Sequence, residues 1–240
     1  DAEIYLKRED LSPVRSYKIR GAFTLMSAIL RGAEGSRPDG SNAHFVCASA
    51  GNHAQGFAYA CAHFNVPGTV FMPVTTPQQK IDKTRVFGRE FITIKLVGDT
   101  FDQSYAAARQ LEADEAAIMI PPFDHPRIIE GQATVGAEIL DARIGPIDLV
   151  MLPVGGGGLS SGVSTYLRSE SPKTKLVCVE PEGAPSLAES LAAGERVQLQ
   201  AIDNFVDGAA VALLGENTLA RLKDNITEPV RLVPENRLCT

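Results

Sequence analysis

The sequence predicts an α/β protein whose mostly parallel sheets are flanked by helices. Three observations carry this. Short apolar runs alternate with helix-length amphipathic stretches; Gly, Pro and Asn gather where strands hand over to helices; and no internal repeat or low-complexity tract interrupts the pattern. Strand–helix alternation favours parallel sheets covered on both faces, because a parallel pair needs a crossover connection.

Taken in order, the first apolar run is 4–7, read as a strand, followed by Pro13 and a helix over 17–31. Ser16 suits the N-cap of that helix. Strands are then expected at 45–48, 69–72, 91–96, 117–120, 148–152 and 176–180. Helices are expected at 52–64, 77–87, 100–114, 126–143, 159–169 and 185–193. The stretch 32–41 (GAEGSRPDGS) has the composition of a loop and of a domain crossover.

Bulk properties narrow the classes of function. With 240 residues, 44% hydrophobic and 22% charged, the chain has an ordinary globular composition. A net charge of -6 argues against a nucleic-acid partner, which selects a basic face. No apolar run approaches bilayer-spanning length and no signal peptide opens the chain, so no membrane partner is expected and a reducing cytoplasmic setting is the default. Cys47, Cys61, Cys178 and Cys239 form no CxxC pair and read as scattered, mostly buried thiols. His44, Cys47, Cys61 and His63 match no zinc spacing, so no metal is expected. Asp1 and the unclosed stretch 234–240 read as the ends of a segment of a longer protein.

Three loops carry chemistry. In the first, SYKIRGA (16–22), Lys18 falls in the first turn of a helix, where the dipole and free N–H groups favour negative charge. Such a lysine is either solvated and incidental or useful, since a depressed pKa makes an amine nucleophilic. The second loop, SAGNHAQG (49–56), follows a strand. Its small residues let a ligand approach the backbone at a helix start, a geometry suited to a carboxylate; a tight turn with an Asn cap is the plainer alternative. The third holds Gly155, Gly156, Gly157 and Gly158 before Leu159, between strand and helix. Four glycines in a row are costly in chain entropy and make sense where backbone N–H groups curl around a phosphate. No third glycine completes a dinucleotide fingerprint, and no Gly-Lys-Ser/Thr makes a P-loop. An amine, a carboxylate cradle and a phosphate cradle together fit one ligand: an amino acid condensed with pyridoxal 5′-phosphate.

At this point the sequence resembles the threonine dehydratases (threonine ammonia-lyases) of the tryptophan-synthase-β-like family, fold type II. The resemblance covers nearly the whole chain: KREDLSPVRSYKIRGA (7–22), ASAGNHAQG (48–56), TTPQQK (75–80), GDTFD (98–102), PPFDHP (121–126), PVGGGGLSSG (153–162), VEPEGA (179–184) and DGAAV (207–211). It implies two open twisted sheets, with a smaller domain at 40–117 inserted into a larger one made of 1–39 and 118–240. It also implies pyridoxal 5′-phosphate as cofactor and a homo-oligomer, dimer or tetramer. The implied reaction is dehydration and deamination of L-threonine, and of L-serine, giving 2-oxobutanoate (or pyruvate) and ammonia, the first step toward isoleucine.

The family's roles transfer residue by residue. Lys18 is expected to be the Schiff-base lysine and the base at Cα, with Tyr17 packed near the cofactor. Asn52 is expected to bond the cofactor's 3-hydroxyl, and Gly155 to Leu159 to hold its phosphate. Ser49, Gly51 and His53, with nearby backbone N–H groups, are expected to hold the substrate carboxylate. Gly208 is expected close to the cofactor ring, and Phe123 is expected to wall the substrate side.

The sequence also departs from relatives. Ala50 stands where serine racemases of the family carry a second serine, so a two-base racemase mechanism lacks its second base. Ala133 replaces a glycine common in relatives, and Ser186 stands where some carry an acidic cation ligand. Alternatives left open are a serine dehydratase or racemase, a threonine synthase, and a non-catalytic module that binds the cofactor.

Overall fold

The computed structural model describes residues 2–34, 43–115 and 117–237. The chain divides into two compact units, Asp1–Pro122 and Phe123–Thr240.

The first unit is built on a four-stranded parallel sheet of β1 (Phe45–Ala48), β2 (Gly68–Met72), β3 (Ile92–Leu96) and β4 (Ile118–Met119), in the order β3-β2-β1-β4. Helices α1 (Lys18–Leu30), α2 (Asn52–Phe64), α3 (Gln78–Gly88) and α4 (Phe101–Glu115) accompany it. Every residue of β1 and β2 is buried, which is why both read as unbroken apolar runs. Val46, Ala48 and Phe71 pack with Ala108, Leu111 and Ala117 in one core cluster. Phe45 and Phe57 are wholly enclosed, each contributing about 2 kcal/mol of apolar burial. The run at 4–7 forms no strand: it has no ladder partner among the described residues, and Ile4, Tyr5 and Leu6 are exposed.

The second unit carries a three-stranded parallel sheet of β5 (Leu149–Pro153), β6 (Lys175–Pro181) and β7 (Arg231–Val233), in the order β5-β6-β7. Its helices are α5 (Pro126–Asp141), α6 (Gly158–Glu170), α7 (Ser186–Ala193) and α8 (Glu216–Asn225). Val154, Cys178, Leu187, Leu214, Leu219 and Leu222 form its core cluster. The buried carboxylate of Glu180 at the end of β6 accepts the N–H groups of Leu187 and Ala188 at 2.7 and 3.0 Å, satisfying the start of α7.

The expected α/β architecture of parallel sheets with flanking helices is therefore present. Most of the crossover stretch, and Cys239, lie outside the described residues. Cys47, Cys61 and Cys178 are buried free thiols. Among the described residues no helix is long and apolar enough to cross a membrane, and no group of three or more His, Cys, Asp or Glu side chains gathers as a metal site would.

In a parallel sheet all carboxyl ends share one edge, and ligands of open α/β sheets collect outside that edge. Here the edge of the first unit carries the loops that follow Ala48 and Met119, and that of the second carries the glycines after Pro153.

Candidate active site

In the first unit the site begins with a tightly braced turn. Ser12 Oγ accepts the N–H of Ser16 at 2.9 Å and donates to the carbonyl of Ser16 at 3.0 Å. Between them Arg15 adopts a left-handed φ of 55°, a conformation that a non-glycine residue keeps only where its surroundings enforce it. Arg20 forks onto Glu9 through two bonds of 2.7 and 2.8 Å, fastening the segment before the turn to the first turn of α1. The hydroxyl of Ser16 accepts the N–H of Lys18 at 3.2 Å, while the cap position itself falls to Tyr17, one residue later than expected.

Lys18 therefore opens α1, and its Nζ donates to the carbonyl of Pro122 at 2.8 Å. Burial of the amine lowers its pKa from 10.5 to about 8. The ring of Tyr17 lies 5.6 Å from this nitrogen, and burial pushes its own hydroxyl up to about 12.

The loop after β1 opens α2. Ser49 Oγ accepts the N–H of Gly51 at 3.1 Å, and no side chain at the cap position closes the start of the helix. Nothing lies within 4 Å of where a Cβ on Gly51 would project, so the backbone faces open space there. Asn52 is exposed at the first helical position. His53 is buried, and its Nε2 lies 2.8 Å from the carbonyl of Ile120. A carbonyl only accepts, so Nε2 carries the proton. Burial first, and then the charge of Lys18, lower the His53 pKa to about 3. The imidazole is thus neutral with its one N–H committed, and what His53 can offer an anion is its backbone N–H.

The second unit presents the glycine loop. Val154 hooks onto β6 through the carbonyl of Val179 at 2.9 Å, and the chain then turns through Gly157, whose φ of 85° a side chain rarely adopts. The N–H groups of Gly155, Gly156 and Gly157 have no acceptor among the described residues. Gly155 packs against Ala209 and the carbonyl of Gly208, so the structure brings the tetraglycine loop and Gly208 together. Nothing lies within 4 Å of where a Cβ on Gly208 would project. Phe123 packs onto Gly156 and Gly158. Leu159 turns its side chain into the protein and leaves only its backbone for a ligand. Ser160 Oγ donates to the carbonyl of Pro153 at 2.7 Å, and Ser161 Oγ to that of Thr218 at 3.0 Å, fixing the start of α6.

Each unit by itself carries groups of the kind the expected cofactor needs: the first an amine of lowered pKa and open space at Gly51, the second N–H groups before α6 without an acceptor among the described residues and open space at Gly208. Two contributors carry no signal in residue type: Thr218, whose hydroxyl donates to the carbonyl of Gly156 at 2.8 Å, and Asp124, which accepts the N–H of Thr218 at 3.3 Å. The only signal for α8 was the spacing of Thr218, Leu219 and Leu222 in an otherwise polar stretch.

The chain belongs to the family of pyridoxal-phosphate-dependent enzymes, whose model matches residues 1–239. It is 47% identical over 240 residues to a biosynthetic L-threonine dehydratase of Halalkalibacterium halodurans, covering 100% of this chain and 56% of the relative. The structure resembles the processed form of threonine deaminase isoform 2 from Solanum lycopersicum, with a TM-score of 0.85 and 42% identity, over 95% of this chain and 63% of that one. It also resembles maize serine racemase, with a TM-score of 0.86 and 27% identity, over 96% of this chain and 66% of that one. The chain spans about half the length of the curated relatives it matches.

Proposed function

We propose that the protein of which this chain is part dehydrates and deaminates L-threonine, and L-serine as a second substrate, to the 2-oxo acid and ammonia. The observation that carries this is the 47% identity to a biosynthetic L-threonine dehydratase over 240 residues, the whole of this chain. Pyridoxal phosphate, when bound, supplies an electron sink that eases removal of a proton from the α-carbon of an amino acid.

The chain's own residues supply the rest. Lys18 Nζ would hold the cofactor and serve as the base at the substrate Cα; with its pKa lowered to about 8 by burial, about a tenth of the amine is neutral at pH 7, far more than for an ordinary lysine. Tyr17 packs beside the cofactor and Asn52 bonds its 3-hydroxyl. Ser49 and the backbone N–H groups of Gly51 and His53 orient the substrate carboxylate. The N–H groups from Gly155 to Leu159 bind the phosphate, Gly208 leaves room for the ring, and Phe123 walls the substrate side. Ala50 offers no group that holds a proton, which disfavours a racemase working from both faces of Cα. Homo-oligomeric assembly, a cytoplasmic location and the inserted-domain arrangement are part of the same proposal.

The test is a steady-state assay of the full-length protein with pyridoxal phosphate. L-Threonine should yield 2-oxobutanoate and ammonia with a higher kcat/KM than L-serine or O-phosphohomoserine. Turnover confined to O-phosphohomoserine would move the protein to the synthases, and cofactor uptake without any turnover would make it a binding module.

A further inference from the structure

We propose that Thr218, held at the start of α8 by Asp124, is a positioning residue that aims the N–H of Gly157 into the phosphate cradle; this rests on the reading that the tetraglycine loop holds the cofactor phosphate. Thr218 is wholly buried, and its hydroxyl lies 2.8 Å from the carbonyl of Gly156 and 3.1 Å from that of Gly215. A hydroxyl has one proton, and the shorter bond goes to Gly156. The carbonyl of Gly156 and the N–H of Gly157 belong to one planar trans peptide, in which they point in opposite directions. Pinning the carbonyl toward α8 therefore turns the N–H away from α8, where it has no acceptor among the described residues.

Two further contacts hold the same unit. A Cβ on Gly157 would lie 2.9 Å from the Cβ and Oγ1 of Thr218, so the threonine backs the turn directly. The carbonyl of Thr218 accepts from Ser161 Oγ, tying α8 to the first turn of α6. Thr218 is itself fixed by the carboxylate of Asp124, which accepts the N–H groups of Glu216 at 2.9 Å and Thr218 at 3.3 Å. Asp124 follows Phe123, the residue that packs on Gly156 and Gly158. Asp124 and Thr218 thus contribute through the loop they hold, and neither need touch the cofactor.

The experiment compares pyridoxal phosphate with unphosphorylated pyridoxal, by equilibrium dialysis and by ³¹P NMR of the bound phosphate, on full-length protein. Thr218→Val keeps the shape and removes the hydroxyl. It should raise the dissociation constant for pyridoxal phosphate roughly tenfold, the effect of one lost hydrogen bond, and leave that for pyridoxal unchanged. The bound ³¹P resonance should broaden toward the free position, and Thr218→Ser should restore both. Equal weakening of the two ligands, or no weakening of either, overturns the proposal. Should Thr218→Val not fold, Asp124→Asn is judged by the same selective loss, about threefold because one acceptor oxygen remains. If the unaltered protein itself does not prefer pyridoxal phosphate to pyridoxal, the phosphate reading of the loop fails first, and the role of Thr218 with it.

Discussion

A Cβ placed on Gly56 would stand 2.9 Å from the amide nitrogen of Ile19, so α2 crosses the first turn of α1 at a distance that only a glycine allows. The atoms it would meet are backbone, belonging to Lys18 and Ile19, and cannot swing aside as a side chain could. The spacing between the amine-bearing turn and the loop that opens α2 is therefore set by the missing side chain.

Gly56→Ala should push α1 and α2 apart by some tenths of an ångström. The expected cost is about 1–3 kcal/mol of stability, the usual range for overpacking. Because Lys18 moves with its backbone, the visible absorbance of the lysine-linked cofactor should also shift or weaken. Urea unfolding and an absorbance spectrum measure the two effects. An alanine variant with unaltered stability and spectrum would show that the contact is more yielding than its geometry implies.

Lys18→Ala should abolish that visible absorbance and all turnover. With Lys18 as the proposed point of attachment, capture of the cofactor would require the neutral amine, whose pKa burial lowers from 10.5 to about 8. The capture rate of cofactor-free protein should therefore rise with pH and reach half its maximum near pH 8. An ordinary lysine would have only about one amine in 250 neutral at that pH. Stopped-flow absorbance across pH 6 to 10 gives the midpoint directly, and a midpoint near 10 would mean that the amine is solvated.

Much of this was legible in the sequence because local pattern and tertiary environment agree. The strand at 45–48 and the helix at 52–64 lie where the apolar run and the glycine-rich turn place them. Agreement failed where an element depends on partners. The run at 4–7 has strand composition without a ladder among the described residues, and β7 is only three residues long, too short for a period to register. In α8, polar residues outnumber apolar ones, and what fixes the helix is Asp124, 92 residues away in sequence. The site shows the same split. Lys18, Ser49 to His53 and the glycines announce themselves through residue type, whereas His53's bond to Ile120 and Thr218's bond to Gly156 exist only once the chain has folded.

Glu180 offers a test of stability outside the candidate site. The residue is 1% exposed, and its carboxylate receives the N–H groups of Leu187 and Ala188 and the hydroxyl of Ser186. Burial raises its pKa, and these three bonds offset that only in part. Glu180→Ala should leave both N–H groups of α7 without an acceptor and cost about 1–3 kcal/mol. Denaturant unfolding measures this; a change below about 0.5 kcal/mol would place the effect among ordinary surface substitutions.

His53 gives a pH signature whose sign is fixed by its environment. Its folded pKa is lowered from 6.5 to about 3, so between these values the unfolded chain binds a proton that the folded protein refuses. Stability then rises with pH across that window, and is lost as the pH falls from 6.5 toward 3. The contribution of this one residue approaches a slope of about 1.4 kcal/mol per pH unit. His53→Gln keeps a donor for the carbonyl of Ile120 and removes the titrating ring, so it should flatten the acid limb by about that slope while leaving stability at pH 8 within about 1 kcal/mol. The measurement is the free energy of unfolding in urea at half-unit steps from pH 4 to 8 for both proteins. Parallel curves would mean that His53 takes up its proton in the folded state, and the neutral imidazole described for the candidate site would have to be given up.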